Sequence, residues 1–115
     1  MEMDKVNLIT EGSRFEGTLE FRDYTRFEGI LNGTLLGTAG SEVIIGENGV
    51  IEGRIECDTV TVDGYVRGEI TARRKIIVSG TGRVIGELSA PSVEILFGAH
   101  FDGKCTMENA LPAKS

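Results

Sequence analysis

The sequence has no tryptophan, only two prolines and a single histidine. No apolar stretch approaches the roughly 18 residues that a membrane-spanning helix requires. Acidic residues outnumber basic ones by 18 to 12, and the formal charge of −6 argues against nucleic acid as a partner, because proteins that bind it need a basic surface. The first ten residues, MEMDKVNLIT, lack the basic and apolar regions of a secretion signal. These absences favour an acidic cytoplasmic domain whose two cysteines are reduced thiols.

Glycine, by contrast, is abundant, with 16 residues, which is about twice its average share of roughly 7%. Six of the glycines share one setting, with an apolar residue two positions before and another two positions after. The glycines are Gly17, Gly33, Gly53, Gly68, Gly86 and Gly103. The preceding apolar residues are Phe15, Leu31, Ile51, Val66, Val84 and Phe101, and the following ones are Leu19, Leu35, Ile55, Ile70, Leu88 and Cys105. This period of two predicts a short strand with one buried side in every copy.

A second short strand precedes each glycine-centred one. Its two inward columns are Asn7, Thr25, Val43, Val60, Ile76 and Val93, and then Ile9, Phe27, Ile45, Val62, Val78 and Ile95. A further inward column follows the glycine-centred segment and consists of Phe21, Gly37, Cys57, Ala72, Ala90 and Met107. The last column is small in the middle and large at both ends.

Repeats of about 15 to 20 residues with two bends each are too short to contain helices. Because like residues recur at like places, the pattern predicts coils stacked in parallel, each column forming a ladder with a spacing of about 4.8 Å. We therefore expect an all-β protein, a right-handed parallel β-helix (β-solenoid) of about six coils; its handedness rests on the general preference for right-handed crossovers. The domain is expected over residues 7–107, between short tails at residues 1–6 and 108–115.

The stacking also predicts neighbours among the outward residues. Arg54 should lie beside Glu69, and Glu52 beside Arg67, on successive coils. Such exposed pairs are worth at most about 1 kcal/mol each, so they indicate register more than stability.

Several segments resemble the bactofilin family. They are GSRFEGTLEF near the start, then VIEGRI, VDGYVRGEI, GTGRVIGEL and the closing APSVEILFGAHFDGKCTM, together covering about residues 7–107. The resemblance implies a right-handed parallel β-helix of six windings whose subunits join end to end into non-polar filaments without nucleotide. Family members are bacterial cytoskeletal scaffolds in cell shape, polar organisation, division or motility.

The resemblance also bears on partners and location. It implies that the chain associates with itself, and that a second bactofilin, cell-wall enzymes or membrane-associated proteins are further partners. It implies a cytoplasmic protein, with a peripheral position at the inner face of the cell membrane as an alternative. No cofactor, metal, nucleic acid or small-molecule substrate is expected.

The two ends of the solenoid are the predicted functional site. Each end exposes unpaired backbone and apolar residues, and the end coils carry the largest residues of their columns. Phe15 and Phe21 in the first coil, and Phe101 and Met107 in the last, are therefore predicted to form a polymer interface. The alternative is a capped, non-polymerising β-solenoid in which the tails cover these residues and the sides bind a partner.

Other polar features suggest little chemistry. Arg73, Arg74 and Lys75 form the one basic cluster, predicted to be a solvated corner, with contact to anionic lipid or an acidic partner as the alternative. Cys57 and Cys105 fall in inward columns and are expected to be small core residues. The single histidine, His100, is expected at the surface, and no cluster of titratable residues suggests an enzyme.

Overall fold

The computed structural model describes residues 6–9 and 12–107, and that part of the chain contains strands and no helix. The ten strands are β1 (Val6–Ile9), β2 (Arg14–Phe21), β3 (Tyr24–Phe27), β4 (Ile30–Gly37), β5 (Glu42–Ile45), β6 (Val50–Val62), β7 (Tyr65–Val78), β8 (Arg83–Ala90), β9 (Ser92–Ile95) and β10 (His100–Met107). The predicted tails lie outside the described residues, except that Val6 already belongs to β1.

All strand pairs are parallel, and they form two stacks. The long-strand stack contains β2, β4, the first part of β6, the first part of β7, β8 and β10. The short-strand stack contains β1, β3, β5, the second part of β6, the second part of β7, and β9. One short and one long strand make a coil, so the six coils comprise residues 6–21, 24–37, 42–57, 59–72, 75–90 and 92–107. The predicted parallel β-solenoid of about six coils is thus confirmed.

The register between coils is the one that the sequence predicts. The six repeat glycines lie beside one another in a single column, and the apolar residues on either side of them stack in the same order. Inward residues of the middle coils, such as Leu31, Ile51 and Val66, have no exposed surface. Outside, Arg54 lies beside Glu69 and forms an ion pair with it at 3.2 Å. Because the inward residues of each coil pack on those of the next, the core is one continuous column of apolar side chains.

The column of repeat glycines marks a corner of the coil. All six have positive φ, between 104° and 147°. A Cβ atom on any of the last five would overlap the carbonyl group of the glycine in the coil below. Glycine is required here for two reasons. L-residues rarely adopt this backbone conformation, and successive coils approach each other too closely to leave room for a side chain.

One expected core residue is exposed. Cys57 is fully buried, as predicted, but Cys105 is exposed. The prediction was wrong for Cys105 because it took the inward direction as sufficient for burial. Cys105 belongs to the last coil, and among the described residues only the coil below it pairs with its strand.

Replacing a corner glycine tests this packing. In Gly53→Ala the new methyl would lie 2.8 Å from the carbonyl carbon of Gly33 at a φ of 141°. We expect the free energy of unfolding to fall by at least about 3 kcal/mol, from backbone strain and overlap together. Gly40→Ala is the control, because Gly40 also has positive φ, 79°, but no atom within 4 Å of the added carbon.

Gly40→Ala should cost only about 1–2 kcal/mol from the left-handed conformation. Urea unfolding followed by far-UV circular dichroism, at equal protein concentrations, measures both variants. Equal losses in the two would show that close approach between the coils is not what requires Gly53.

Candidate functional site: the open ends of the solenoid

The last coil leaves its apolar side chains exposed. Ile95 is 43% exposed and Met107 62%, whereas their neighbours one coil below, Val78 and Ala90, are 0% and 2% exposed. Phe101 is partly buried, because it packs on the core through the coil beneath it. We define the C-terminal end patch as Ile95, Leu96, Phe97, Phe101, Cys105 and Met107. Among the described residues nothing covers this patch, and it brings together the predicted Phe101 and Met107.

Sequence reasoning missed Phe97 in this patch. Its side chain is fully exposed, with a relative accessibility of 102%. It lies in the turn between β9 and β10, where Ala99 N–H donates to the Leu96 carbonyl at 3.0 Å. The same turn in two earlier coils has Glu47 and Gly80 at this position. A phenylalanine at a turn position that is polar or glycine in earlier copies was the signal that could have identified it.

The described inward side chains of the first coil are, taken together, less exposed than those of the last coil. Phe15 and Leu19 in the first coil are partly buried and pack against the core. The ring of Phe15 lies 6.3 Å from that of Phe27, which has no exposed surface. Phe15 thus lies at the opposite end of the solenoid from Phe101, as the repeat predicts.

Phe21, also predicted at this end, is only 8% exposed. Gly37 lies beside it in the next coil. A Cβ atom on Gly37 would lie 2.6 Å from the Phe21 ring and 2.6 Å from the Cβ of Cys57. Phe21 therefore fills the volume that the missing side chain of Gly37 leaves, and within a single subunit it contributes to the core.

The predicted basic cluster is largely occupied by contacts within the chain. Arg73 donates through Nε to Asp58 and through Nη2 to the Gly37 carbonyl at 2.9 Å. Asp58 also accepts a hydrogen bond from Gly40 N–H at 2.6 Å. These residues lie at successive corners between coils two and five, so the network joins three corners of the solenoid.

The remaining two basic residues differ from each other. Lys75 forms an ion pair with Glu94 on the next coil at 3.3 Å. Arg74 is exposed. Contact between this corner and an anionic partner remains a prediction, and within the cluster Arg74 has the least competition from carboxylates of the described residues.

The thiols and the histidine differ in their surroundings. Burial raises the pKa of Cys57 to about 12, and its thiol donates to the Thr59 carbonyl at 3.2 Å. Cys57 is therefore an uncharged, unreactive thiol at neutral pH. His100 is exposed, and no group of three or more metal-ligating side chains occurs within residues 6–9 and 12–107.

Comparison with known proteins decides the family. The model of the bactofilin family, described as polymer-forming cytoskeletal, matches residues 7–106. The chain belongs to the bactofilin family. It is 32% identical to bactofilin BacO of Myxococcus xanthus over 81 residues, which is 69% of this chain and 64% of BacO. It is 30% identical to bactofilin BacP of the same organism over 77 residues, 67% of this chain and 32% of BacP.

The matched region thus spans about a third of one relative and just under two thirds of the other. No solved structure matches the chain significantly. Within the described residues of this bactofilin, no helix is long and apolar enough to cross a membrane.

The corner network predicts how stability depends on pH. Hydrogen bonding from Arg73 lowers the pKa of Asp58, and the partial burial of the carboxylate opposes that shift without cancelling it. A carboxylate with a lowered pKa stabilises the folded state above its unfolded pKa of about 3.9, and this contribution is lost as the pH falls through the folded value. Asp58→Asn should lower the free energy of unfolding by about 1–3 kcal/mol at pH 7, with a smaller difference from the unmodified protein below about pH 4.

Glu56→Gln provides the matched control. Glu56 pairs with Arg54 at 3.4 Å, and both side chains are largely exposed, 40% and 53%, so its loss should cost less than about 1 kcal/mol. Chemical unfolding at a series of pH values measures both variants. A deficit for Asp58→Asn that stays constant from pH 7 to pH 3 would contradict this role for the network.

Proposed function

We propose that this bactofilin assembles end to end into filaments without nucleotide, and that the filament is a scaffold that positions other proteins. The C-terminal end patch is the observation that carries the proposal. The patch exposes Ile95 and Met107, whose counterparts one coil below are buried, together with the partly buried Phe101. Burial of one such side chain stabilises by about 1.5–3 kcal/mol, so a second subunit that covers the patch would gain several of these contributions.

Backbone pairing supports the same arrangement. Each middle coil pairs its strands with a coil on either side, whereas β9 and β10 pair only with the coil below among the described residues. An unpaired strand edge is a template for another strand. A second subunit placed on it would continue the ladder at the same spacing of about 4.8 Å. Joining unlike ends gives an open filament, and joining like ends at both termini also propagates.

Nothing in the local structure calls for nucleotide in this assembly. The segment GAHFDGKC, residues 98–105, comes nearest to a phosphate-binding loop. Its two glycines are a turn residue, Gly98, and a corner residue, Gly103. Residues 100–105 of the segment lie in β10, which leads into no helix within the described residues. A phosphate loop needs a helix N-terminus.

The scaffold role rests on the family, whose model is described as polymer-forming and cytoskeletal. End-to-end stacking would use the two ends of each subunit and leave the sides of the solenoid accessible. The sides are therefore the surfaces on which a second bactofilin, a cell-wall enzyme or a membrane-associated protein would be positioned. Arg74 at the basic corner is one exposed cation on such a side.

Phe101→Arg tests the end contact. The arginine should abolish filaments, because a charge buried against another subunit without a partner costs several kcal/mol. In a free subunit the same side chain can reach water at the open end, so the fold should persist. Thr71→Arg is the matched control, since Thr71 is exposed on the side of the solenoid in coil four. Electron microscopy and sedimentation measure assembly, and far-UV circular dichroism measures folding.

Thiol labelling provides an independent measurement on the same samples. Cys105 is exposed in the single subunit and lies in the end patch, whereas Cys57 is buried. A maleimide should label Cys105 rapidly in Phe101→Arg and slowly in filaments of the unmodified protein, and Cys57 in neither. Small uniform particles of the unmodified protein at high concentration, or equally fast labelling of Cys105 in filaments, would contradict the proposal.

A further inference from the structure

The outward side chains of the short-strand stack follow a regular pattern of charge and hydrophobicity along the solenoid. Burial alternates along these strands, so every second side chain points outward. The outward residues whose burial is described form two columns along the solenoid, from coil two to coil six; Val6 and Leu8 continue the columns into coil one. One column is Arg26, Ile44, Thr61, Ile77 and Glu94; the other is Tyr24, Glu42, Thr59, Lys75 and Ser92. We call these ten residues the short-strand face.

Both columns are antisymmetric in charge about coil four, and the first is also symmetric in side-chain size, whereas the ends of the second differ, with Tyr24 at one and Ser92 at the other. In the first column Thr61 is central, with isoleucines on either side and charges of opposite sign, Arg26 and Glu94, at the ends. In the second column Thr59 is central, with Glu42 on one side and Lys75 on the other. An isologous contact requires antisymmetric charge. A two-fold axis through coil four places coil two of one copy against coil six of the other, and coil three against coil five.

We propose that the short-strand face is a contact between two copies of this chain, packed side by side with their solenoid axes antiparallel. The two-fold axis runs along the strand direction through Thr59 and Thr61 of coil four. The partner that binds this face is a second copy of the chain, because the charges of the face are complementary to those of the same face on another copy. The inference rests on the proposed function, since the partners in this contact are neighbouring filaments.

The paired faces would match in detail. Ile44 of one copy meets Ile77 of the other, on both sides of the axis. At each edge, Lys75 and Glu94 of one copy meet Glu42 and Arg26 of the other. Within one chain Lys75 already pairs with Glu94 at 3.3 Å, and Arg26 pairs with Glu28 at 2.7 Å. Each cluster would therefore contain two cations and three carboxylates, with Lys75 and Arg26 each next to a carboxylate of the other copy.

The long-strand stack does not have this property. Its outward column beside the repeat glycines is Glu16, Asn32, Glu52, Arg67, Ile85 and Asp102. The same two-fold operation about coil four would place Arg67 against Arg67 of the other copy, two like charges on the axis itself. Like charges placed against each other disfavour association. Self-complementarity therefore distinguishes the short-strand face.

The short-strand face is too small to hold two single subunits together, but it can hold two filaments together. Five strands at about 4.8 Å, each of four residues at about 3.3 Å, cover roughly 300 Å², well below the ~800 Å² per partner of a stable complex. A single pair of subunits should therefore bind weakly. Repetition of the contact along two filaments multiplies it, because each later contact is intramolecular once the first has formed.

Charge reversal tests the register of this contact. Glu42→Lys places a second ammonium group against Lys75 of the neighbour, and Lys75→Glu places a second carboxylate against Glu42. Each variant alone should form single filaments, with the bundled fraction in low-speed sedimentation reduced by about tenfold or more. Mixing preformed filaments of the two variants should restore bundles, because both opposed pairs are then oppositely charged. Glu52→Lys and Arg67→Glu, the same changes on the long-strand stack, should bundle like the unmodified protein.

Cross-linking locates the axis directly. Thr61 should lie opposite Thr61 of the neighbour, so Thr61→Cys in a Cys105→Ala background should give a covalent dimer with a short bismaleimide. The buried Cys57 should not react, and Thr71→Cys on the long-strand stack is the control for random encounter.

Restored bundling on mixing and efficient dimer formation at position 61 support the inference. Filaments that bundle equally well in both reversed variants, or that cross-link no better at position 61 than at position 71, overturn it. Absence of filaments in every sample would instead overturn the proposed function. In that case cross-linking of the concentrated protein at position 61 still decides the side-by-side contact.

Discussion

Backbone pairing between successive parallel coils is the interaction on which the rest of this protein depends. Each middle coil gains partners on two sides, so its inward aliphatic residues lose almost all contact with water. Within the described residues the first and last coils pair with one neighbour each, and the last coil exposes residue types that the others bury, including Ile95 and Met107. The pairing that stabilises the interior thus leaves an apolar end, from which we infer polymerisation. The unpaired strand edge at this end can bind a further coil in the way that each middle coil binds the next.

Corners determine how closely the coils can approach. The repeat glycines have positive φ and allow carbonyl groups to lie where a Cβ would be, so the column tolerates no other residue without strain. At a second corner, Asp58 and Arg73 satisfy backbone groups of Gly40 and Gly37 in the coils below. These corner contacts hold successive coils in one register, which in turn aligns the outward columns of the short-strand face.

The stacking could be predicted from sequence because a strand has a period of two and a solenoid places like residues in contact. Every vertical neighbour within the predicted columns follows from that rule. The rule does not predict what covers the ends of the solenoid, or which side chains come into contact where the connecting corners differ in length. It therefore missed the exposure of Phe97 and Cys105, the burial of Phe21 over Gly37, and the pairing of Arg73 with Asp58, all of which depend on local geometry at the ends and corners of the solenoid.

End-to-end continuation of the solenoid can be tested most directly by X-ray fibre diffraction from oriented filaments. The spacing between coils, about 4.8 Å, runs along the solenoid axis. If subunits stack end to end, the corresponding reflection should be strong along the filament axis. If it appears instead perpendicular to that axis, the subunits associate through their sides, and the C-terminal end patch is not the contact that builds the filament.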